Sequence, residues 1–320
     1  LLVGHGGFEK LVHRTDVPVP SPGADEVLIR VRAAALNNTD VNMREGWYSK
    51  SHAAQDAGWS GNAVAFPIIQ GADVCGEIAA TGSAVGGERI GERVLVDPVL
   101  RDRPAAGAAK TLYLGSDCNG GFAQYVCVPA RNAHAIVSPL TDAELASFPC
   151  SYSAAETMLT RAAVRAGETV LITGASGGVG SAAVQLARRR GATVIALAAG
   201  SKAAAVGRLG ASRVLSRDAD LPAVLGREAV DVVIDVVGGP QFGGLLDILR
   251  TAGRYAVAGA IGGAEVSLDL RTLYLKDLRF FGCTIPDPEV FGNLVGYIEA
   301  GEVAPLVAAI FPLGELAAAQ

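Results

Sequence analysis

Thr169–Leu186, TVLITGASGGVGSAAVQL, is the stretch whose residue types and spacing point most directly to a chemistry. An apolar, β-branched run, Val170–Thr173, meets a glycine turn that opens straight into a helical pattern. Strand, turn and helix in that order let backbone N–H groups at a helix start face an anion. Gly177 lets the backbone approach a pyrophosphate and Gly180 lets the helix lie close to the strand. Ala175 stands where the first glycine of G-x-G-x-x-G usually falls. The run expected to hold a dinucleotide is therefore Ala175, Ser176, Gly177, Gly178, Val179 and Gly180.

The next strand, in ATVIALAAGSK at Ala192–Lys202, speaks to which dinucleotide. NAD sites usually carry an Asp or Glu ~20 residues after the first glycine, bonded to the ribose 2′-OH. No acid occurs between Glu168 and Asp218. Ser201 and Lys202 follow the expected position, and they can donate to and neutralise a 2′-phosphate. NADPH is the expected cofactor. The alternative is that Lys202 starts a solvated helix and NADH is held through backbone alone.

With 320 residues, the chain is long enough for two domains and a sizeable core. Half the residues are hydrophobic and 40 are glycine, which suits closely packed α/β layers. A net charge of −5 argues against nucleic acid or an anionic membrane as partner. No uncharged apolar run reaches the ~18 residues of a membrane span. Five cysteines without paired spacing suggest a reduced, cytoplasmic protein.

These motifs need elements to position them. The first part reads as β-rich. EVLIRVRAAA at Glu26–Ala35 alternates, and Asp73–Ala80, Arg93–Val96 and Gly120–Pro129 are further strand candidates. Lys50–Ala65 and Arg101–Thr111 read as loops. Thr141–Ala166 reads as a helix with Thr141 or Ser138 as cap and Glu144 in its first turn. Strands are then predicted at Val170–Thr173, Thr193–Leu197, Arg213–Leu215, Asp231–Val237, Gly253–Gly259 and Leu278–Gly282, alternating with helices. That alternation predicts an α/β, doubly wound parallel sheet of Rossmann type. Ligands bind beyond the carboxyl ends of such strands. This places Asp235–Gly239 and Ala258–Gly262, with Val237, Gly238, Ala258 and Gly259, on the nicotinamide half. Pro288–Gln320 reads as helical. The expected division is a β-rich, barrel-like domain at 1–138, completed by 285–320, and a Rossmann domain at 139–284.

Taken together, several stretches resemble the medium-chain dehydrogenase/reductase superfamily, and within it the zinc-independent, zeta-crystallin-like quinone oxidoreductases. They are GHGGFEKL at Gly4–Leu11, DVPVPSPGADEVLIRVRAAALNNTD at Asp16–Asp40, REGWY at Arg44–Tyr48, IQGADVCGEI at Ile69–Ile78, IGERV at Ile90–Val94, GGFAQY at Gly120–Tyr125 and GETVLITGASGGVG at Gly167–Gly180. The resemblance covers nearly the whole chain. It implies a GroES-like catalytic domain before the Rossmann domain, and homodimers joined edge to edge, for which AEVSLDL at Ala264–Leu270 is the expected edge strand. Leu1 reads as lying inside a strand, and family members continue beyond the equivalent of Gln320, so the chain is expected to be incomplete at its ends.

The superfamily's alcohol dehydrogenases hold a catalytic zinc. By resemblance, Asn37 stands at their first ligand, Ala72 and Asp73 at their His-Glu pair, and Cys150 at their third ligand. Zinc needs three N, S or carboxylate ligands plus an open position. Asn37 is a poor ligand, so no metal is expected. Without a Lewis acid, NADPH can still reduce an acceptor that is already electrophilic, a quinone or a conjugated enone, given donors aimed at the developing oxyanion. Asn37 and Tyr48 are the expected donors, Thr39 matches a proton-relaying hydroxyl of the zinc enzymes, and Asp40 is expected to organise its loop. Trp47 and Tyr152 are expected as substrate-pocket walls or, equally, as core-packing residues. Arg44 is expected as a phosphate or carboxylate partner or a surface charge, and Arg254 and Lys276 as cofactor contacts or solvated groups. The competing readings are an enoyl-thioester reductase on the same fold, a zinc-type alcohol dehydrogenase, and a non-catalytic NADPH-binding sensor.

Overall fold

The structure is a computed structural model that describes residues 1–51, 58–102 and 110–320. The predicted loops at Lys50–Ala65 and Arg101–Thr111 therefore fall partly outside the described residues. The chain divides into two compact units: Leu1–Cys150 with Ile298–Ala300 and Ala304–Gln320, and Ser151–Tyr297 with Gly301–Val303. The stretch expected to complete the first domain, 285–320, is thus shared between them.

The first unit is built on β1 (Glu26–Ala35), α1 (Asn38–Glu45), β2 (Asp73–Thr81), β3 (Arg93–Val96), β4 (Val99–Asp102), β5 (Lys110–Tyr113), β6 (Tyr125–Pro129), β7 (Ala133–Ala135) and α2 (Asp142–Ala146). Five strands form an antiparallel sheet in the order β6-β1-β2-β3-β7, and β4 and β5 form a separate ribbon. The alternation read in β1 is real: Val27 and Ile29 are fully buried, while Arg30 and Arg32 point out. They pack with Val74, Ile78, Val94, Val96, Val126 and Val128 in one core. Register shifts between Leu28 and Ile29 and between Val31 and Ala33 interrupt the β1–β2 ladder. Irregularities of this kind add twist and curl a sheet.

α3 (Pro149–Arg161) leads into the second unit: β8 (Thr169–Ile172), α4 (Gly178–Arg189), β9 (Thr193–Ala198), α5 (Ala203–Arg208), β10 (Arg213–Ser216), α6 (Leu221–Leu225), β11 (Val230–Asp235), α7 (Phe242–Ile248), β12 (Leu249–Val257), α8 (Leu270–Leu275), β13 (Arg279–Gly282) and α9 (Pro288–Glu299). Its six strands run parallel in the order β10-β9-β8-β11-β12-β13. That is the doubly wound order of a dinucleotide-binding sheet. α4 buries Ala182, Ala183, Val184, Leu186 and Ala187 completely. Its small residues allow close packing: a methyl on Gly180 would lie 2.2 Å from the Gly174 carbonyl oxygen.

Three expectations are corrected. The single helix over Thr141–Ala166 is two, α2 and α3, because Pro149 disfavours helical backbone at Phe148 and starts a new helix. The Thr141 cap holds, its hydroxyl accepting from the Glu144 N–H. The tail is helical through α9 and then only from Leu313 to Ala319, a 3-10 turn leading into a short helix, as Gly301, Pro305 and Pro312 interrupt it. Ala264–Leu270 forms no strand, and the sheet's edges are β10 and β13. Among the described residues no helix is long and apolar enough to cross a membrane.

Gly76 on β2 tests the curled pairing. A methyl there would lie 2.4 Å from the Arg30 carbonyl oxygen and 2.6 Å from Ile29. Gly76→Ala is expected to cost about 1–3 kcal/mol by overpacking. A urea midpoint equal to that of the wild type contradicts this pairing.

Candidate active site and cofactor cradle

In the second unit, β8 ends at Ile172 and the chain turns at Gly174, whose φ is +56°. The tight-turn role thus belongs to Gly174, not to Ala175, which is fully buried and donates its N–H to Leu197. Gly174 lies one residue before the Ala175–Gly180 run, outside the spacing of the glycine motif. Gly177 caps α4 in an extended conformation, and its own N–H bonds Gly174 at 2.9 Å. Gly177 and Gly178 are exposed, Ser176 and Val179 half-buried and Gly180 buried. A side chain on Gly178 would run into Ser151 Oγ, at 2.6 Å. Bare backbone at the start of a twelve-residue helix fits a pyrophosphate.

The other predicted contacts gather at the same end of the sheet. Ser201 and Lys202 are exposed just beyond β9. The turns after β11 and β12 are knitted together, Gly262 N–H to Val237 O at 2.7 Å and Gly239 N–H to Gly263 O at 3.1 Å. A methyl on Gly259 would meet the Val236 carbonyl oxygen at 2.7 Å. Val237, Gly238, Ala258 and Gly259 are thereby brought together beyond the carboxyl ends of the strands.

Tyr152 takes the core role of the two expected for it. It is 3% exposed, accepts from Gln185 Nε2 at 2.8 Å, and burial pushes its hydroxyl up to about 12. Arg254 is reassigned. It bonds the Ala162 and Ala163 carbonyls and pairs with Glu168. Glu168 immediately precedes β8, so this is the amino end of the sheet. Lys276 bonds the Leu246 and Asp247 carbonyls, so both cations are spent on structure.

In the first unit the residues expected to be catalytic meet around two buried carboxyl groups. Asp40 accepts from the Asn37 N–H at 2.9 Å, which seats the start of α1, and from the Gly71 N–H at 3.2 Å. Asp73 accepts from Asn37 Nδ2 at 3.0 Å and from the Cys150 N–H at 2.8 Å. Burial pushes Asp40 up to about 7 and Asp73 up to about 8, against the pull of those donors. Thr39 hydrogen-bonds both the Tyr48 hydroxyl and the Cys150 thiol, and Asn42 is a second partner of Tyr48. Burial raises Tyr48 above its usual range. The Tyr113 hydroxyl lies 3.2 Å from Cys150 Sγ, its ring stacked on Trp59. Trp47 is half-buried with its ring edge-on to Tyr48 at 5.3 Å. Arg44 is not a surface charge. It is 4% exposed, pairs with the Glu45 carboxylate at 3.3 Å, bonds Gln320 and the Gly6 carbonyl, and stacks on Phe8, so its carboxylate partner is the chain's own.

The structure brings Asn37, Thr39 and Tyr48 into one network, together with Asp73, Cys150 and Tyr113. The sequence reading gave Tyr113 no role because nothing in its neighbourhood marks it. Its partner Cys150 is 37 residues away.

The donor set does not fit a catalytic zinc. Asn37, a poor ligand type, turns its amide N–H toward Asp73, and Asp73 already accepts on both oxygens. Among the described residues no three His, Cys, Asp or Glu side chains are grouped as ligands.

Comparison with known proteins agrees with this architecture. Residues 23–138 match the alcohol dehydrogenase GroES-like domain and residues 178–300 the zinc-binding dehydrogenase domain. A solved Sinorhizobium meliloti 1021 protein, assigned provisionally as an alcohol dehydrogenase, is 49% identical over 99% of this chain and 90% of its own, with a TM-score of 0.92. The NAD-dependent alcohol dehydrogenase of Sulfurisphaera tokodaii is 27% identical over 94% of this chain and 89% of its own. The quinone oxidoreductase of Rattus norvegicus is 28% identical over 98% and 90%. The chain belongs to the medium-chain dehydrogenase/reductase superfamily. It is an oxidoreductase of that type, working with a nicotinamide cofactor.

The raised carboxyl groups have a consequence for stability. Both have folded values above the ordinary 3.8, so folding holds their protons. Their contribution is full below about 3.8 and is lost as pH rises through about 7 and about 8. The urea midpoint is expected to fall across that window, and Asp73→Asn to flatten the fall. A wild-type profile level with pH, or an unchanged slope in the variant, contradicts the assignment.

Proposed function

We propose that this protein uses NADPH to reduce a quinone or a conjugated enone, without a catalytic metal. The observation that carries the reading is the Asn37–Asp73–Cys150 network with Thr39 and Tyr48 bonded into it, where a zinc enzyme would need free ligands. The chemistry supplied by a bound reduced nicotinamide is hydride transfer. The Gly178 N–H at the start of α4 would hold its pyrophosphate, with Gly177 leaving room beside it, and Ser201 and Lys202 its 2′-phosphate. The absence of an acid at the end of β9 supports NADPH over NADH. The NAD dependence of the Sulfurisphaera relative makes this choice one to measure.

Reduction of a conjugated carbonyl places negative charge on oxygen, and the reduced product needs a proton. Tyr48 is the group assigned to meet that charge. Burial keeps its hydroxyl protonated at neutral pH, and Thr39 holds it in place. Asn37 is a second donor to the same oxygen, oriented by Asp73. Half-buried Trp47 forms an aromatic wall beside Tyr48.

An alcohol dehydrogenase is the second reading, favoured by the assignment of the Sinorhizobium protein. The same assay separates them. After exhaustive chelation, NADPH and NADH oxidation is followed with 9,10-phenanthrenequinone, an enone and an enoyl thioester, each against a no-enzyme blank. Turnover of quinone or enone by metal-free protein is expected. Activity restricted to simple alcohols and restored by zinc overturns the proposal, and activity restricted to the thioester moves it to an enoyl-thioester reductase. Tyr48→Phe is expected to lower kcat by roughly 10²-fold or more. Unchanged turnover removes Tyr48 from the chemistry.

A homodimer belongs to the same reading. Leu270, Tyr274 and Leu275 on α8 stand 65%, 62% and 69% exposed, an apolar face of the kind that pairing covers. Light scattering is expected to give twice the chain mass of 32.6 kDa, and a monomeric mass contradicts it.

A further inference from the structure

Asp235, the last residue of β11, is a fully buried carboxyl group outside the chemistry assigned above. A carboxylate with no access to water has to be met by donors. Four converge on it. Oδ1 accepts from Thr173 Oγ1 at 2.6 Å, Val237 N–H at 2.9 Å and Gly238 N–H at 3.0 Å, and Oδ2 accepts from the Tyr255 hydroxyl at 2.5 Å. Thr173 Oγ1 in turn accepts from the Val236 N–H at 3.0 Å. Three successive backbone N–H groups, Val236 to Gly238, are therefore captured from within by one Thr–Asp pair.

Successive N–H groups in a turn ordinarily make a concave nest for an external anion. Here the nest holds the chain's own carboxylate. The captured turn also abuts the fingerprint loop: a methyl on Gly174 would lie 2.9 Å from Val236 Cγ2 and 3.0 Å from Val237 Cγ2. Across the same end of the sheet, the backbone at Gly177 and Gly178 is left bare. One anion site is open and the neighbouring one is filled.

We infer that Asp235 is a positioning residue that closes the β11 turn to phosphate and holds Val237 and Gly238 in shape for the nicotinamide and its ribose. Pyrophosphate is thereby confined to the Gly177–Gly178 end, which fixes the direction in which the cofactor lies. The inference rests on the cofactor reading given above, and it concerns binding rather than the acceptor.

The test compares two nucleotides on the intact protein by calorimetry: NADPH, and 2′-phospho-ADP-ribose, which lacks nicotinamide. NADH and ADP-ribose are run in parallel, so that preference for the 2′-phosphate is read separately. In Asp235→Ala, NADPH binding is expected to weaken roughly tenfold or more, while 2′-phospho-ADP-ribose binding stays within about threefold of wild type. Thr173→Val and Tyr255→Phe each remove one donor to the carboxylate. They are expected to give smaller losses confined to NADPH, and they carry the test if the alanine variant does not fold. Equal weakening of both nucleotides in these variants, or no weakening of NADPH, overturns the inference. A wild-type protein that binds neither pair overturns the cofactor reading and the inference with it. One that binds NADH but not NADPH overturns only the choice of phosphate, and the variants are then judged on NADH against ADP-ribose.

Discussion

A carboxyl group carried into a β-sheet core has to be answered by donors from the protein itself, and in both units this demand shapes the loops that face ligand. Asp73 is answered by the Asn37 amide and the Cys150 N–H, Asp40 by the N–H groups of Asn37 and Gly71, and Asp235 by two hydroxyls and two N–H groups. Each bond fixes a turn that apolar packing alone would leave free to move. Removing one partner strands a buried polar group, which costs more than the net worth of the hydrogen bond. The acids are therefore coupled to the geometry of their neighbourhoods.

The replacement of zinc ligands follows the same logic. A metal would organise its surroundings by coordination, with thiolates and a free imidazole held ready. In this chain the corresponding positions organise one another, with Asn37 donating to Asp73 and Thr39 joining Cys150 to Tyr48. Under the proposed reading, the site offers hydroxyl and amide donors in place of a Lewis acid. A conjugated, already electrophilic acceptor is proposed for that reason.

In the second unit, close packing of small residues performs the corresponding task. Gly174, Gly180 and the alanines of α4 let the helix approach β8 so closely that its first backbone amides emerge beside the strand ends. The same economy of side-chain volume lets the β11 and β12 turns touch through Gly239, Gly259 and Gly262. Bulk at any of these positions would displace the surface on which a dinucleotide lies.

What the sequence determined by itself was local or periodic. The alternation in Glu26–Ala35, the β-branched run before Gly174, the Thr141–Glu144 cap and the spacing of strands and helices all encode short-range preferences, and each led to the observed element. The doubly wound sheet followed from that spacing, and the Gly177–Gly180 run and the acid-free end of β9 could be read for the same reason. Where the local signal was ambiguous the reading failed. Pro149 split a helix whose hydrophobic period runs on through it, and Ala264–Leu270 alternates like a strand but has no neighbouring strand to pair with. The roles of single polar residues were decided by tertiary structure alone. Arg44, Arg254 and Lys276 carry the same charge in any sequence, and only the carbonyls folded against them turn them from ligand contacts into struts. Asp73 and Cys150 stand 77 residues apart, and Asp235 and Thr173 stand 62 apart. Hydrogen bonds across such separations exist only once the sheets have closed, so no periodicity in the chain announces them.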